Sequence, residues 1–130
     1  MITITTKDAR KVEVIDPTWY KTVVKNHYTK PAADASTNHN FELEIIEGKF
    51  AGYSPQDYLI NEKAVSFGKD FFIACGYPKG EWDKLVAGEQ TSVQLDEKDC
   101  IGKTIMTFIS NEKFGNRLLN KATNFMAVKK

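Results

Sequence analysis

The chain has 130 residues and a formal net charge of +1 at pH 7. That length suits one domain built on one core, and no run approaches the ~18 apolar residues that a membrane-spanning helix needs. Cys75 and Cys100 are the only cysteines; so few, so far apart, they read as buried free thiols in a reducing compartment, which makes a cytoplasmic location and no membrane association the expectation.

The opening MITITTKDARK lacks the charged-then-apolar order of a secretory signal. Residues 1–11 read as a short strand or a flexible arm, and Asp16-Pro17 ends the weak alternation of Val12 to Ile15. From Trp19 to Tyr28 aromatic and β-branched residues crowd together, the composition of a strand. Trp19, Lys21, Val23, Lys25 and His27 would share one face and Tyr20, Thr22, Val24, Asn26 and Tyr28 the other, unless a bulge near Val23-Val24 mixes the two sets. The small, polar stretch 29–40 then reads as a long, mobile surface loop.

Phe41, Leu43 and Ile45 alternate with Glu42 and Glu44, the period of a half-buried second strand. Gly48 and Gly52 bracket a turn, and Tyr58-Leu59-Ile60 supplies a third strand to which Tyr53 is also assigned. Ala64, Phe67, Phe71 and Ala74 then fall on one stripe of a helix closed by Gly76. A short second helix is expected around Trp82–Val86 and a single helical turn within 95–101. Residues 103–109 read as a fourth strand, 111–116 as a turn and Arg117–Phe125 as a fifth strand. The order β, β, β, α, β, β makes the fold class mainly β. It fits a five-stranded OB-fold barrel with a helix between strands three and four, a single domain spanning 1–130. Trp19, Phe41, Phe67, Phe71 and Phe108 are expected to fill its interior.

Catalytic chemistry finds little footing. His27 and His39 lack a spacing that would build a metal cage and read as solvated, and no nucleophile motif or phosphate-binding Gly-rich loop is present. Asp57, Asp96, Glu97 and Asp99 share no helical face. No catalytic residue, metal or cofactor is therefore expected, and the chain reads as a non-enzyme.

Charge distribution says more than its sum. Residues 1–30 carry six cations against three acids and residues 111–130 five against one, which leaves seven against thirteen between them. Single-strand binders combine cations along the backbone track with aromatic faces for base stacking. In an OB barrel the strand crosses the face of strands two and three, between the loops that join strands one to two and four to five. On that plan Lys25, Lys30, Lys113, Arg117 and Lys121 would meet phosphates, while Tyr28, Tyr53, Tyr58 and Phe114 would stack on bases.

The stretch PTWYKTVV from Pro17, the run LEIIEGKFAG ending at Gly52, Asp57, the Ala64–Gly76 segment and the ending GKTIMTFISNEKFGNRLLNKATNF follow one another in a telling order. Over roughly residues 17–126 the chain resembles a family of phage-encoded OB-fold single-stranded-DNA-binding proteins. The resemblance implies sequence-tolerant binding of single-stranded DNA in replication or recombination, with a recombinase or replication protein as partner and homo-oligomers allowed. The chain departs from the family at Tyr53, where relatives often carry a basic residue, and in ending Val128-Lys129-Lys130 where bacterial single-strand binders have an acidic tail. The alternative is a protein-binding OB module, an adaptor for a recombinase or replisome subunit, which the acidic middle segment suits.

Overall fold

The computed structural model describes residues 1–3, 14–88 and 96–128, without the side chains of Ser66 and Phe114. The arm assigned to 1–11 lies mostly outside the described residues.

Fourteen residues of aromatic and β-branched character make β1, Thr18–Pro31, the longest strand. It pairs antiparallel on one side with β2, Thr37–Ile45, and on the other with β4, Thr104–Phe114. β3, Tyr58–Asn61, adds to β2, and β5, Arg117–Ala127, adds to β4. The result is one five-stranded sheet in the order β3-β2-β1-β4-β5. The sheet does not close into the expected OB-type barrel, itself a partly open one. Among the described residues the two edges of the sheet meet at a single parallel bridge between Gln56 and Lys121, where the Gln56 N–H donates to the Asn120 carbonyl at 2.8 Å. The reason is the length of β3, which at four residues is too short to ladder along the eleven of β5.

A bulge interrupts the β1–β2 register between Val24 and Asn26. Because side chains alternate with period two, one extra residue reverses every side chain beyond it. Thr22 and Val24 are buried before it, opposite Ile45 and Leu43; after it His27 takes the inner position opposite the fully buried Phe41. Asn26, Tyr28 and Lys30 accordingly lie on the outer face. Sequence reasoning placed the bulge one position early but read its effect correctly.

Residues 29–40 are not a loop. Thr29, Lys30 and Pro31 continue β1 and pair with His39, Asn38 and Thr37 of β2. Only 32–36 turn, held by Ala32 N–H to the Ser36 carbonyl at 2.8 Å and by Ser36 N–H to Asp34 Oδ1 at 3.0 Å. Ala35 adopts a φ of 69° to close this turn. Polar composition misled here because both flanks keep an exposed face, and the Asp34–Ser36 turn carries the ladder to the tip. The turn expected over 111–116 narrows likewise: β4 runs through Phe114, and Gly115, with a φ of 63°, and Asn116 form the turn. A left-handed backbone at that position favours glycine.

The helical segment divides in two. A 3-10 stretch, Glu62–Gly68, carries a non-helical residue at Ala64, and α1 follows as Lys69–Ala74. The change of phase breaks the expected stripe. Phe71 is fully buried and Phe72 nearly so, whereas Phe67 is 87% exposed. Gly68 lies where a Cβ would come within 2.7 Å of Ile60 Cδ1, so the absence of a side chain lets the chain cross β3 closely. The second helix, α2, spans Lys79–Val86 and buries Trp82 against Phe72 and Tyr77. A further 3-10 turn, Glu97–Cys100, precedes β4.

The main core gathers on α1 and the inner face of the sheet. Phe71 stands among Phe41, Tyr58, Phe125 and Phe72, with ring centroids 4.7, 5.1, 5.1 and 5.5 Å away. A second cluster, Ile15, Ile45 and Ile109 with Tyr20, Phe50 and Tyr53, lies apart from it. Beneath the sheet Thr22 Oγ1 donates to the Ile105 carbonyl at 3.1 Å and shares a 2.8 Å hydrogen bond with Thr107 Oγ1, so both buried hydroxyls are satisfied. Trp19, expected inside, is 37% exposed on the outer face, edge-on to the half-buried Phe108. Phe71→Ala is expected to lower unfolding free energy by about 3–5 kcal/mol. Phe67→Ala should change it by no more than about 0.5 kcal/mol. Urea denaturation midpoints compare the two, and equal losses would contradict this phasing.

Candidate nucleic-acid interface

The bulge and the β1–β2–β3 register lay out the outer face in cross-strand rows. Lys30 aligns with Asn38 and Asn61, and Tyr28 with Asn40 and Leu59. Asn61 Nδ2 donates to Asn38 Oδ1 at 2.7 Å, so the first row is fixed by amide contacts. In the second row the Tyr28 hydroxyl donates to Asp57 Oδ2, and the Lys30 ammonium lies 5.4 Å from the Tyr28 ring centroid. A ring held at its tip and faced by a cation has little freedom to turn. Between Tyr28 and Leu59, Asn40 is only 6% exposed, and its Nδ2 has no hydrogen-bond partner among the described residues. An unmet amide donor at such depth costs free energy unless a ligand or water meets it.

Asp57 also belongs to the wall of a cleft of about 500 Å³ lined by Gln56, Asp57, Tyr58, Leu59, Glu112, Leu119, Lys121 and Ala122. One wall is the segment entering β3, and the other is the β4–β5 hairpin. Lys121 lies on that second wall and pairs with Glu112 at 3.0 Å. Towards the hairpin tip, Lys113 pairs in register with Leu118 and Phe114 with Arg117; Lys113, Arg117 and Leu118 are exposed. The stacking role expected of Phe114 concerns a side chain outside those described.

The structure therefore joins part of the expected set. Tyr28 and Lys30 touch, Tyr28 reaches Asp57, and Asp57, Tyr58 and Lys121 line one cleft. Arg117 and Lys113 extend the hairpin wall. Two tyrosines do not take the expected stacking position. Tyr58 points inward, with ring centroids 4.5 Å from Phe125 and 5.1 Å from Phe71, because its register opposite Phe41 puts it on the core side. Tyr53 lies outside β3 and packs edge-on to Phe50 at 5.3 Å in the second cluster. Its backbone is fixed there by Ile45 N–H donating to its carbonyl at 2.8 Å. Lys25 is the bulged residue and pairs with Glu44 at 3.4 Å, with no contact to the cleft.

Sequence reasoning missed Asn40, Leu59 and Asp57 as members of this face. The alternation of β2 already set Asn40 opposite to Phe41, but the row joining it to Tyr28 follows from a register that only the bulge determines. It also read His27 and His39 as solvated. Both are half-buried, stacked with centroids 5.2 Å apart, and hydrogen-bonded between His27 Nε2 and His39 Nδ1 at 2.9 Å. The cysteines are free and buried as expected; the hydrogen bond to Cys100, then burial, hold the Cys75 thiol well above its ordinary range. Among the described residues no helix is long and apolar enough to cross a membrane.

The bond to the Asp57 carboxylate, with burial second, pushes the Tyr28 hydroxyl from 10.0 to about 12. Only the protonated phenol can donate this bond. Its contribution to stability is therefore complete below pH 10 and is lost as pH rises through about 12. Asp57→Asn should bring the Tyr28 titration down towards 10, measured as the ultraviolet phenolate difference against a Tyr28→Phe control; an unchanged titration would contradict the contact. No family model matches the chain, and neither does any curated protein.

Proposed function

We propose that the chain is a non-enzymatic single-stranded-DNA-binding protein of OB type that works without a cofactor, and that the strand lies across the outer face of β1, β2 and β3 against the β4–β5 hairpin. The observation that carries this reading is the anchored Tyr28 ring, with Lys30 over it and beside it Asn40, whose Nδ2 has no hydrogen-bond partner among the described residues. A fixed aromatic face offers stacking without sequence preference, a neighbouring cation offers a phosphate contact, and a buried donor offers one hydrogen bond to a base or phosphate oxygen. Lys121, Arg117 and Lys113 would continue the cationic track along the hairpin. OB topology is supported by β1 pairing with both β2 and β4, by helix α1 between β3 and β4, and by the parallel bridge at Gln56. The resemblance to phage single-strand binders extends the proposal to replication or recombination in a host cytoplasm, with a recombinase or replication protein as partner.

The acids of the cleft, Asp57 and Glu112, together with exposed Leu59 and Leu118, favour a second reading as a protein-binding adaptor. Oligonucleotide titration separates the two, because an adaptor shows no salt-dependent binding to oligo-dT. For the first reading, Tyr28→Ala should weaken oligo-dT binding by roughly 1–3 kcal/mol. Arg117→Ala should flatten the slope of log affinity against log salt by about 0.7 for the one phosphate contact removed. Wild-type affinity in both variants, measured by fluorescence anisotropy, would remove this face from the interface.

A further inference from the structure

We propose that His27, His39 and Glu97 form a binding site for a divalent transition-metal ion of the zinc class, independent of the nucleic-acid reading. The three come from separate elements: His27 from β1, His39 from β2 and Glu97 from the 3-10 turn before β4. One ligand atom from each lies within 4.8 Å of the other two. The facing ring nitrogens, His27 Nε2 and His39 Nδ1, are 2.9 Å apart. Zinc–nitrogen bonds of 2.0–2.1 Å in a tetrahedron set a nitrogen–nitrogen edge of about 3.3 Å. Opening the existing contact by a few tenths of an ångström would seat an ion between the imidazoles.

The backbone holds these donors in place. After the bulge the ladder fixes His27 opposite Phe41 and His39 opposite Thr29, which sets the two imidazoles diagonally on the inner side of one strand pair. Glu97 is brought over them by hydrogen bonds that tie its segment down. Asp96 accepts from Lys98 N–H at 3.0 Å, Gly102 N–H donates to the Val24 carbonyl at 2.8 Å, and Val24 N–H donates to the Lys103 carbonyl at 2.9 Å. The Phe41 ring, 4.9 Å from the His27 ring, walls the site on its inner side. All three donors are half-buried, which weakens competition from bulk water.

Donor chemistry selects the ion. Two neutral imidazoles and one carboxylate suit zinc or its near neighbours and suit magnesium and calcium poorly, since those ions prefer all-oxygen shells. Three protein ligands leave one position of a tetrahedron for water or an outside donor. A bound ion would replace the histidine–histidine hydrogen bond with two metal bonds and staple segment 96–103 to the β1–β2 hairpin.

The chain contains two histidines in all, so their imidazole nitrogen resonances report on the site directly. Chelator-treated protein titrated with Zn²⁺ should show both imidazoles shifting together and saturating at one equivalent. The thermal midpoint should rise with Zn²⁺ and not with Mg²⁺. Co²⁺ should give the intense visible bands of a tetrahedral nitrogen–oxygen shell, displaced by Zn²⁺. His27→Ala and His39→Ala should each lose these bands, and Glu97→Gln, which keeps both imidazoles, should weaken binding. Imidazole resonances that stay put on addition of Zn²⁺ overturn the proposal in the wild-type protein, whatever the fate of the variants. Thiolate charge-transfer bands with Co²⁺ overturn it equally, since they would assign the metal to Cys75 and Cys100.

Discussion

The extra residue in β1 decides what each side of this sheet presents. With Lys25 bulged out, Thr22, Val24 and His27 face inward while Tyr28 and Lys30 face outward. Were Lys25 taken into a regular ladder instead, the outer half of the strand would reverse, turning Lys30 into the core and His27 to solvent. Both arrangements of functional interest, the anchored ring on the outer face and the imidazole pair on the inner one, hang on this irregularity. β1 also stands between β2 and β4 and pairs with both, so it carries the alignment of the two halves of the sheet.

Much of the fold was legible because hydrophobic alternation is a local signal. Phe41, Leu43 and Ile45 read as an inward face and are inward, each no more than 1% exposed. The element order and the last strand from Arg117 were equally plain. Several readings went astray, and three of them did so for separate physical reasons. The stretch 29–40 looked like a loop because polar strand residues on an exposed face carry no hydrophobic period. Phe67 was drawn into the core by a stripe that assumes one continuous helix, whereas the irregular backbone at Ala64 resets the phase before Phe71. Tyr58 could not be oriented without the β2–β3 register, which no composition encodes. The site was readable as residue types near two turns; the Tyr28–Asp57 contact and the His27–His39 pair are long-range and were not.

Charge shows the same gap between chain and space. The basic ends and acidic middle look segregated along the sequence, yet folding interleaves them. Lys21 meets Glu47 at 3.5 Å and Lys25 meets Glu44 at 3.4 Å. Exposed pairs of this kind contribute between nothing and about 1 kcal/mol each. They cost little to open, and a phosphate arriving at one of these lysines would exchange one anion for another. Lys30 differs: among the described residues it contacts the face of a ring and not a carboxylate, which leaves its charge less compensated there.

The two tryptophans occupy opposite settings. Trp82 is sealed between Phe72 and Tyr77, and Trp19 stands edge-on to Phe108 with more than a third of its surface in water. Intrinsic emission from this molecule is therefore a sum of a blue, shielded component and a red, quencher-accessible one. A soluble quencher such as iodide would silence the second and spare the first, so the protein carries its own optical marker for anything that covers the β1–β4 side of the sheet.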